Sequence, residues 1–486
     1  MTDATHVLKA PETFFIDGAW VAPSGNKKIT VVSPVTEMPA MEYPEAAPAD
    51  VDRAVKAARA AFDTGPWPRM TRAERALVLR RTADELDARI ERIAQDWTAQ
   101  MGAPIMIGRM LAPQSAQIFR FYADLLDGED FSFVDERIRP DGGRTLISRE
   151  PVGVCATITP WNAAMVLLSY KIAAGLAAGC TFVSKPSPET PLEGYVLAEC
   201  LELAGLPAGV FNLVPGGAEI GEYLVRHPDI DKVAFTGSTA AGKKIGAICA
   251  ERMARVTLEL GGKSAAIMLD DADFVAAMPT LAAFSMPNSG QVCFALTRIL
   301  VPEARAEEFT KLFVETVSRF KIGNPNDPEV FFGPLSKLAQ HEKVQRYIET
   351  GKAEGATLVL GGGRPDHMDK GYFIAPTVFT DVTSDMTIAQ EEIFGPVVSI
   401  MTYRDEDEAV EIANASSYGL SGAIYSADTD RAFKVAQRIR TGNLTINGNI
   451  VDPTMPIGGF KQSGWGREGG IEGMNSYLEA KTISFA

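Results

Sequence analysis

Between residues 152 and 260 the chain alternates five short apolar stretches with segments of helical pattern, and this alternation constrains the fold more than any other feature. The stretches run over 152–158, 181–184, 210–214, 232–236 and 256–260. Strands separated by single helices pair in parallel, because each helix carries the chain back to the same end of the sheet. Such a sheet is covered by helices on both faces, so the fold class is α/β. Ligands of open parallel sheets bind beyond the carboxyl ends of the strands. Here those ends carry Thr159-Pro160-Trp161-Asn162, Lys185-Pro-Ser187-Pro188, Pro215-Gly-Gly217, Gly237-Ser238 and Glu259-Leu260-Gly-Gly262. Each alone reads as turn chemistry. Together they set an amide, a cation, glycine turns and a carboxylate along one edge.

The 486 residues exceed what one hydrophobic core supports, so two or three domains are expected. Residues 264–447 again mix strand and helix signals, with strands over 298–301 and 397–403, and read as a second α/β domain. Residues 1–45 are turn-rich with short strands. A helix opens at Asp50, and Thr71-Arg-Ala-Glu74 has capping-box form. Leu86, Ile90, Ile93 and Trp97 continue at helical spacing and predict one long amphipathic helix. Around Asp141-Gly-Gly143, residues 130–151 predict a β-hairpin, either a surface flap or a subunit contact. Residues 477–485 alternate like an edge strand that pairs with another element or another subunit.

Charge and cysteine content exclude several functions. A net charge of −15 disfavours nucleic acid as a partner. The cluster Arg69, Arg72, Arg75, Arg80 and Arg81 sits among acidic residues and reads as a solvated helix face. The first residues have no apolar core behind a basic start, and the apolar run 163–180 is broken by Lys171, which predicts a buried helix and no membrane association. Five cysteines without Cys-x-x-Cys spacing and four scattered histidines argue against a disulfide framework and a metal site. A reducing cytoplasm is the expected compartment.

Cys155 and Cys180 lie in apolar runs and Cys200 and Cys249 in helical patterns, where cysteine serves as a small hydrophobe. Cys293 instead follows the loop-like Pro287-Asn-Ser-Gly290 run, so it is the candidate nucleophile, a structural cysteine being the alternative. Period-2 alternation sets Glu259 opposite Val256, Leu258 and Leu260, where a carboxylate is either a general base or a paired surface group. Lys185 suits ribose hydroxyls, a phosphate or solvent. Residues 235–242 supply a strand, a glycine turn and a helix start, the order a pyrophosphate site needs, without the G-x-G-x-x-G fingerprint.

Taken in order, Thr159-Pro-Trp-Asn162, Lys185-Pro186, Phe235-Thr-Gly-Ser238, Glu259-Leu-Gly-Gly-Lys-Ser264, Gly290-Gln-Val-Cys293, Glu391-Glu-Ile-Phe-Gly-Pro396 and Pro456-Ile-Gly-Gly-Phe-Lys-Gln-Ser-Gly464 resemble the aldehyde dehydrogenase superfamily. The motifs cover nearly the whole chain and match its NAD(P)-dependent, hydrolytic, non-CoA-acylating members. The resemblance implies oxidation of an aldehyde to a carboxylic acid through a cysteine thiohemiacetal and thioester, with hydride passing to NAD, or to NADP as the alternative. It makes Cys293 the nucleophile, Glu259 the base that activates the hydrolytic water, and the Asn162 amide with the Cys293 backbone N–H the oxyanion donors. It assigns the adenosine ribose to Lys185, the pyrophosphate to Gly237 and Ser238, and the nicotinamide ribose and ring to Glu392 and Phe394. Residues alone do not separate Glu392 from Glu391. Ile158, Thr159, Pro160, Trp161, Ser187, Gly217, Phe235 and Leu260 complete the implied cofactor site.

The implied fold has a Rossmann-like NAD(P)-binding domain over 1–128 and 152–261 and an α/β catalytic domain over 262–461. A small β oligomerisation element, 129–151 with 462–486, would serve a homodimer or homotetramer. Two departures stand out. NAD-preferring relatives often carry a glutamate three residues after the lysine, where this chain has Pro188 followed by Glu189. Phe-Pro often follows the asparagine, where this chain has Ala163-Ala164. With Leu167, Tyr170, Phe294, Ile450 and Val451 as the other expected lining residues, the tunnel is wide, apolar and without a cation. It suits a medium-chain aliphatic, terpenoid or aromatic aldehyde. The alternatives are a CoA-acylating enzyme, whose relatives typically lack the glutamate at 259, and a non-catalytic binding protein on the same fold.

Overall fold

The computed structural model describes residues 10–129, 131–448 and 452–485. Its first large sheet has six strands, in the order Gly464–Trp465, Arg255–Glu259, Lys232–Thr236, Val154–Ile158, Thr181–Lys185 and Phe211–Leu213. Five of them are parallel and fall within two residues of their sequence positions. Four are buried along their whole length, because helices cover both faces of the sheet. The chain starts at Val154–Ile158, builds outward through two strands, then returns to place Lys232–Thr236 on the other side of the first. That reversal opens a crevice beyond Ile158 and Thr236, where outgoing connections diverge.

The helix Ala164–Ala178, predicted as buried, packs against this sheet with nearly every residue inaccessible. A second sheet of seven strands is ordered Thr357–Leu360, Thr377–Thr380, Val397–Tyr403, Arg298–Pro302, Ala265–Met268, Gly422–Tyr425 and Thr445–Ile446. All its pairings are parallel except that of Thr357–Leu360. The 260–264 segment joins the two sheets, so the carboxyl end of the Arg255–Glu259 strand faces the junction.

Val134–Ile138 and Arg144–Pro151 form the predicted hairpin. The tail strand Leu478–Ser484 pairs antiparallel with Arg144–Pro151, from Leu478 opposite Pro151 to Ser484 opposite Thr145. Among the described residues, no helix is long and apolar enough to cross a membrane.

Two expectations are corrected. The long helix is two helices, Arg72–Asp87 and Ile90–Met101, which break at Arg89 (φ −120°, ψ 13°). Arg89 folds back to donate to the Glu85 carbonyl at 2.8 Å, while Leu86 and Ile93 keep one buried face, which is why the spacing runs through the break. Arg75 is buried rather than solvated. Its guanidinium lies 5.2 Å from the centre of the Phe133 ring and donates to the Met70 carbonyl at 3.1 Å.

Candidate active site

Cys293 is reached through a loop that only a few residue types can make. Asn288 and Ser289 hold positive φ of 49° and 56°, a conformation L-residues adopt only when surrounding contacts enforce it. Those contacts are present. Ser289 Oγ donates to the Gly333 carbonyl at 2.8 Å, and Gln291 Nε2 to the Asn288 carbonyl at 3.1 Å. The Ser336 N–H donates to Gln291 Oε1 at 2.9 Å. Gly290 has to be glycine, since a Cβ there would sit 2.0 Å from the Gly395 carbonyl oxygen. The other four cysteines are buried, and Cys293 alone is partly exposed. Burial, with the carboxylates of Glu392 and Glu259 nearby, pushes its thiol up to about 12. The resting group is therefore a protonated thiol that needs a base.

Asn162 reaches the same loop, and the Glu259 carboxylate lies near enough to act on the Cys293 thiol. The Asn162 amide donates to the Gln291 carbonyl at 3.0 Å, which holds it two residues from Cys293 and leaves its second N–H for an oxyanion. Asn288 Nδ2 donates to the Asn162 carbonyl at 3.3 Å and ties both segments together. Glu259 ends its strand almost fully buried, and its Oε1 has no hydrogen-bond partner among the described residues. Gly458 (φ 152°) backs that oxygen, with a Cβ there only 2.7 Å from it. Burial and the adjacent Glu468 hold the Glu259 carboxyl well above the ordinary carboxylate range, against the opposing pull of Lys171 and Arg467. An orphaned oxygen on a carboxyl of raised basicity is the arrangement a general base requires.

The residues behind Glu259 are missed by motif and spacing. Lys171, fully buried, donates to Glu468 Oε1 and to Thr236 Oγ1, both at 2.5 Å. A lone cation inside an apolar helix signals a buried anion, and Lys171 is visible as such in the sequence. Its partner, 297 residues away, is not.

The Gly261-Gly262 turn is shared by Cys293 and Glu392. A Cβ on Gly262 would lie 2.4 Å from the Cys293 carbonyl, and one on Gly261 would lie 2.5 Å from Glu392 Oε2. The Gly262 N–H donates to Glu392 Oε1 at 3.0 Å. Glu391 turns outward to accept from the Tyr347 hydroxyl at 2.6 Å, so the structure separates two glutamates that the residues alone leave equivalent. Gln340 donates to the Ile393 and Phe394 carbonyls at 3.1 and 2.7 Å, fixing Phe394 edge-to-face against Trp161 at 5.4 Å.

The expected cofactor residues line the crevice edge. Ile158 and Phe235 end neighbouring strands, followed by Thr159-Pro160-Trp161 and by Gly237-Ser238. Ser238 caps the helix Thr239–Glu251, accepting from the Ala241 N–H at 3.3 Å, so the positive end of that helix faces the crevice. Leu260 packs on Gly242 in the same helix, where a Cβ would clash at 2.4 Å. The buried Lys185 ammonium donates to the Pro186 and Gly216 carbonyls, each at 2.9 Å, and burial pulls it down to about 8. With neutral partners and a third donor to spare, it fits a ribose or phosphate oxygen. The Gly217 N–H donates to Glu45 Oε1 at 3.0 Å, and Ser187 donates to Glu189, which pairs with Lys337. Glu45 and Glu189 thus put carboxylates beside Lys185 although Pro188 carries none. These residues suit a dinucleotide.

On the opposite side, Ala163, Leu167 and Phe294 are half-buried, whereas Tyr170 is buried with a hydroxyl that has no partner among the described residues. Ile450 and Val451 lie outside the described residues.

Known proteins share this arrangement along the full chain. A geranial dehydrogenase from Castellaniella defragrans is 46% identical over 472 residues, covering 96% of this chain and 98% of its own. A Mycobacterium tuberculosis aldehyde dehydrogenase solved with NAD+ superposes with a TM-score of 0.95 at 44% identity, covering 98% of both chains. A cysteine-to-alanine variant of an aldehyde dehydrogenase from Pseudomonas syringae, solved with NAD+ and octanal, has a TM-score of 0.94 at 42% identity and covers 98% of this chain and 97% of its own. The model of the aldehyde dehydrogenase family matches residues 20–483, and the chain belongs to that family.

Proposed function

We propose that the protein oxidises hydrophobic aldehydes to carboxylic acids with NAD, by covalent catalysis at Cys293. As a member of the family it is an NAD-dependent aldehyde dehydrogenase acting on aldehydes. The observation that carries the finer reading is that the Asn162 amide is bonded to the Cys293 loop while the orphaned Glu259 carboxyl lies near the thiol.

Glu259 takes the thiol proton, and Cys293 Sγ bonds to the carbonyl carbon. The oxyanion formed is met by the Asn162 amide and the Cys293 N–H. Bound NAD supplies the acceptor for the hydride released when this adduct becomes a thioester. Glu259 releases that proton to solvent and then takes one from water, which attacks the thioester, and the acid leaves with Cys293 Sγ as the leaving group. Lys185, Gly237, Ser238, Glu392 and Phe394 hold the dinucleotide, and the Glu45 and Glu189 carboxylates disfavour a 2′-phosphate there. Solved relatives bound to NAD+ support NAD over NADP. The presence of Glu259, with its raised basicity, favours water over coenzyme A as the acceptor of the acyl group.

The substrate class rests on the apolar residues Ala163, Leu167 and Phe294, and on relatives named for geranial and solved with octanal. The proposed division is 1–128 with 152–261, 262–461, and 129–151 with 462–486, except that Gly464–Trp465 joins the first sheet, and the last element is the proposed contact of a homo-oligomer. Turnover of octanal and a terpenoid aldehyde with NAD, set against succinic semialdehyde, tests the class. Comparable kcat/KM for the dicarboxylic semialdehyde would contradict it.

A further inference from the structure

Beside the oxyanion donor lies a cleft that the catalytic steps do not use. Trp97, Gly108, Leu111, Ala112, Ala163 and Ala164 line it, and its free volume of about 20 Å³ has room for one small group. It exists because three helices meet there through small residues. The helix Ile90–Met101 brings Trp97, the helix Ile105–Asp127 brings Gly108 and Ala112, and the helix Ala164–Ala178 begins there. Trp97 Nε1 donates to the Trp161 carbonyl at 3.2 Å, so the wall of the cleft is bonded to the segment that carries Asn162.

Glu193 lies at the floor, its Oε2 accepting from Gln100 at 3.1 Å. Burial raises its carboxyl to about 8, so the floor is uncharged at neutral pH and the cleft is apolar in effect. Ala163 is half-buried and directly follows Asn162, so the cleft begins one residue from the amide assigned to the carbonyl oxygen.

We propose that this cleft receives an alkyl branch carried close to the aldehyde carbon, making branched aldehydes, and not only straight-chain ones, substrates of the enzyme. The proposal rests on the functional reading above. The aldehyde oxygen meets Asn162, and a methyl group on the second or third carbon turns between Ala163, Leu111 and Ala112. A larger side chain at position 163 or 112 would occupy that space.

The test compares kcat/KM for 3-methylbutanal and butanal, each with NAD, in the wild type and in Ala163→Leu and Ala112→Val. The two variants fill the cleft from different helices, so a folding defect in one leaves the other informative, and the ratio within each enzyme cancels losses common to both aldehydes. Both should lower the branched-to-linear ratio about tenfold, the discrimination one methyl group supports in an apolar pocket. A ratio that stays at the wild-type value in a variant that still oxidises butanal overturns the proposal. Failure of the wild type to oxidise these two aldehydes while it oxidises octanal overturns the cleft's role alone, and failure on octanal as well overturns the functional reading with it.

Discussion

As the proposed nucleophile, Cys293 is held in reserve. With its thiol pushed up by burial, Glu392 and Glu259, little thiolate exists at neutral pH in the free enzyme. Alkylation of Cys293 by iodoacetamide should therefore rise about tenfold per pH unit from 7 to 9, followed by peptide mass spectrometry; a plateau by pH 7 would contradict the assigned environment. Glu259 has the opposite role. Its raised carboxyl must lose a proton to act, so hydrolysis of the thioester should speed up as pH rises above the ordinary carboxylate range. Glu259→Gln should remove that rise and lower kcat about 10²- to 10⁴-fold, with rapid-quench analysis showing acyl-enzyme accumulating. An unaltered pH profile in the variant would assign the base elsewhere. Cys293 is legible because its neighbours Pro287 to Gly290 announce a loop, whereas the other four cysteines sit in apolar or helical patterns. The choice of Glu392 over Glu391 is not legible, because it depends on which side chain meets Gly262 and which meets Tyr347.

At the scale of elements, the helix Ala164–Ala178 connects the catalytic edge to the carboxyl-terminal part of the chain through Lys171 and Glu468. Both partners are buried, so removing one leaves a charge without compensation. Lys171→Met should cost about 3–5 kcal/mol by denaturant unfolding, and adding Glu468→Gln should recover much of that loss. A single variant as stable as the wild type would mean that the pair is already neutral. The five parallel strands are readable because each is a short, largely apolar or alternating stretch between turns, a local signal. The break at Arg89 and the burial of Arg75 under Phe133 are not, since both depend on contacts made across the fold.

For the whole molecule, the three-stranded sheet of hairpin and tail presents exposed Val134, Ile138, Ile483 and Phe485, an apolar group on an otherwise charged surface. If this sheet is the subunit contact, Ile138→Glu with Ile483→Glu should shift the protein to a smaller species in analytical ultracentrifugation. An unchanged sedimentation coefficient would place the contact elsewhere. The alternation over 477–485 shows that this strand needs a partner, but not that Arg144–Pro151 supplies it, because strand pairing over such a separation has no local signature. The crevice at the strand ends is readable for a different reason, since the handedness of parallel crossovers leaves few topologies. The measurement closest to the central claim is formation of reduced NAD from octanal by the wild type and by Cys293→Ala under the same conditions. The account predicts robust formation in the wild type and none above background in the variant, with NAD binding by the variant retained. Turnover that survives the substitution would show that Cys293 is not the nucleophile.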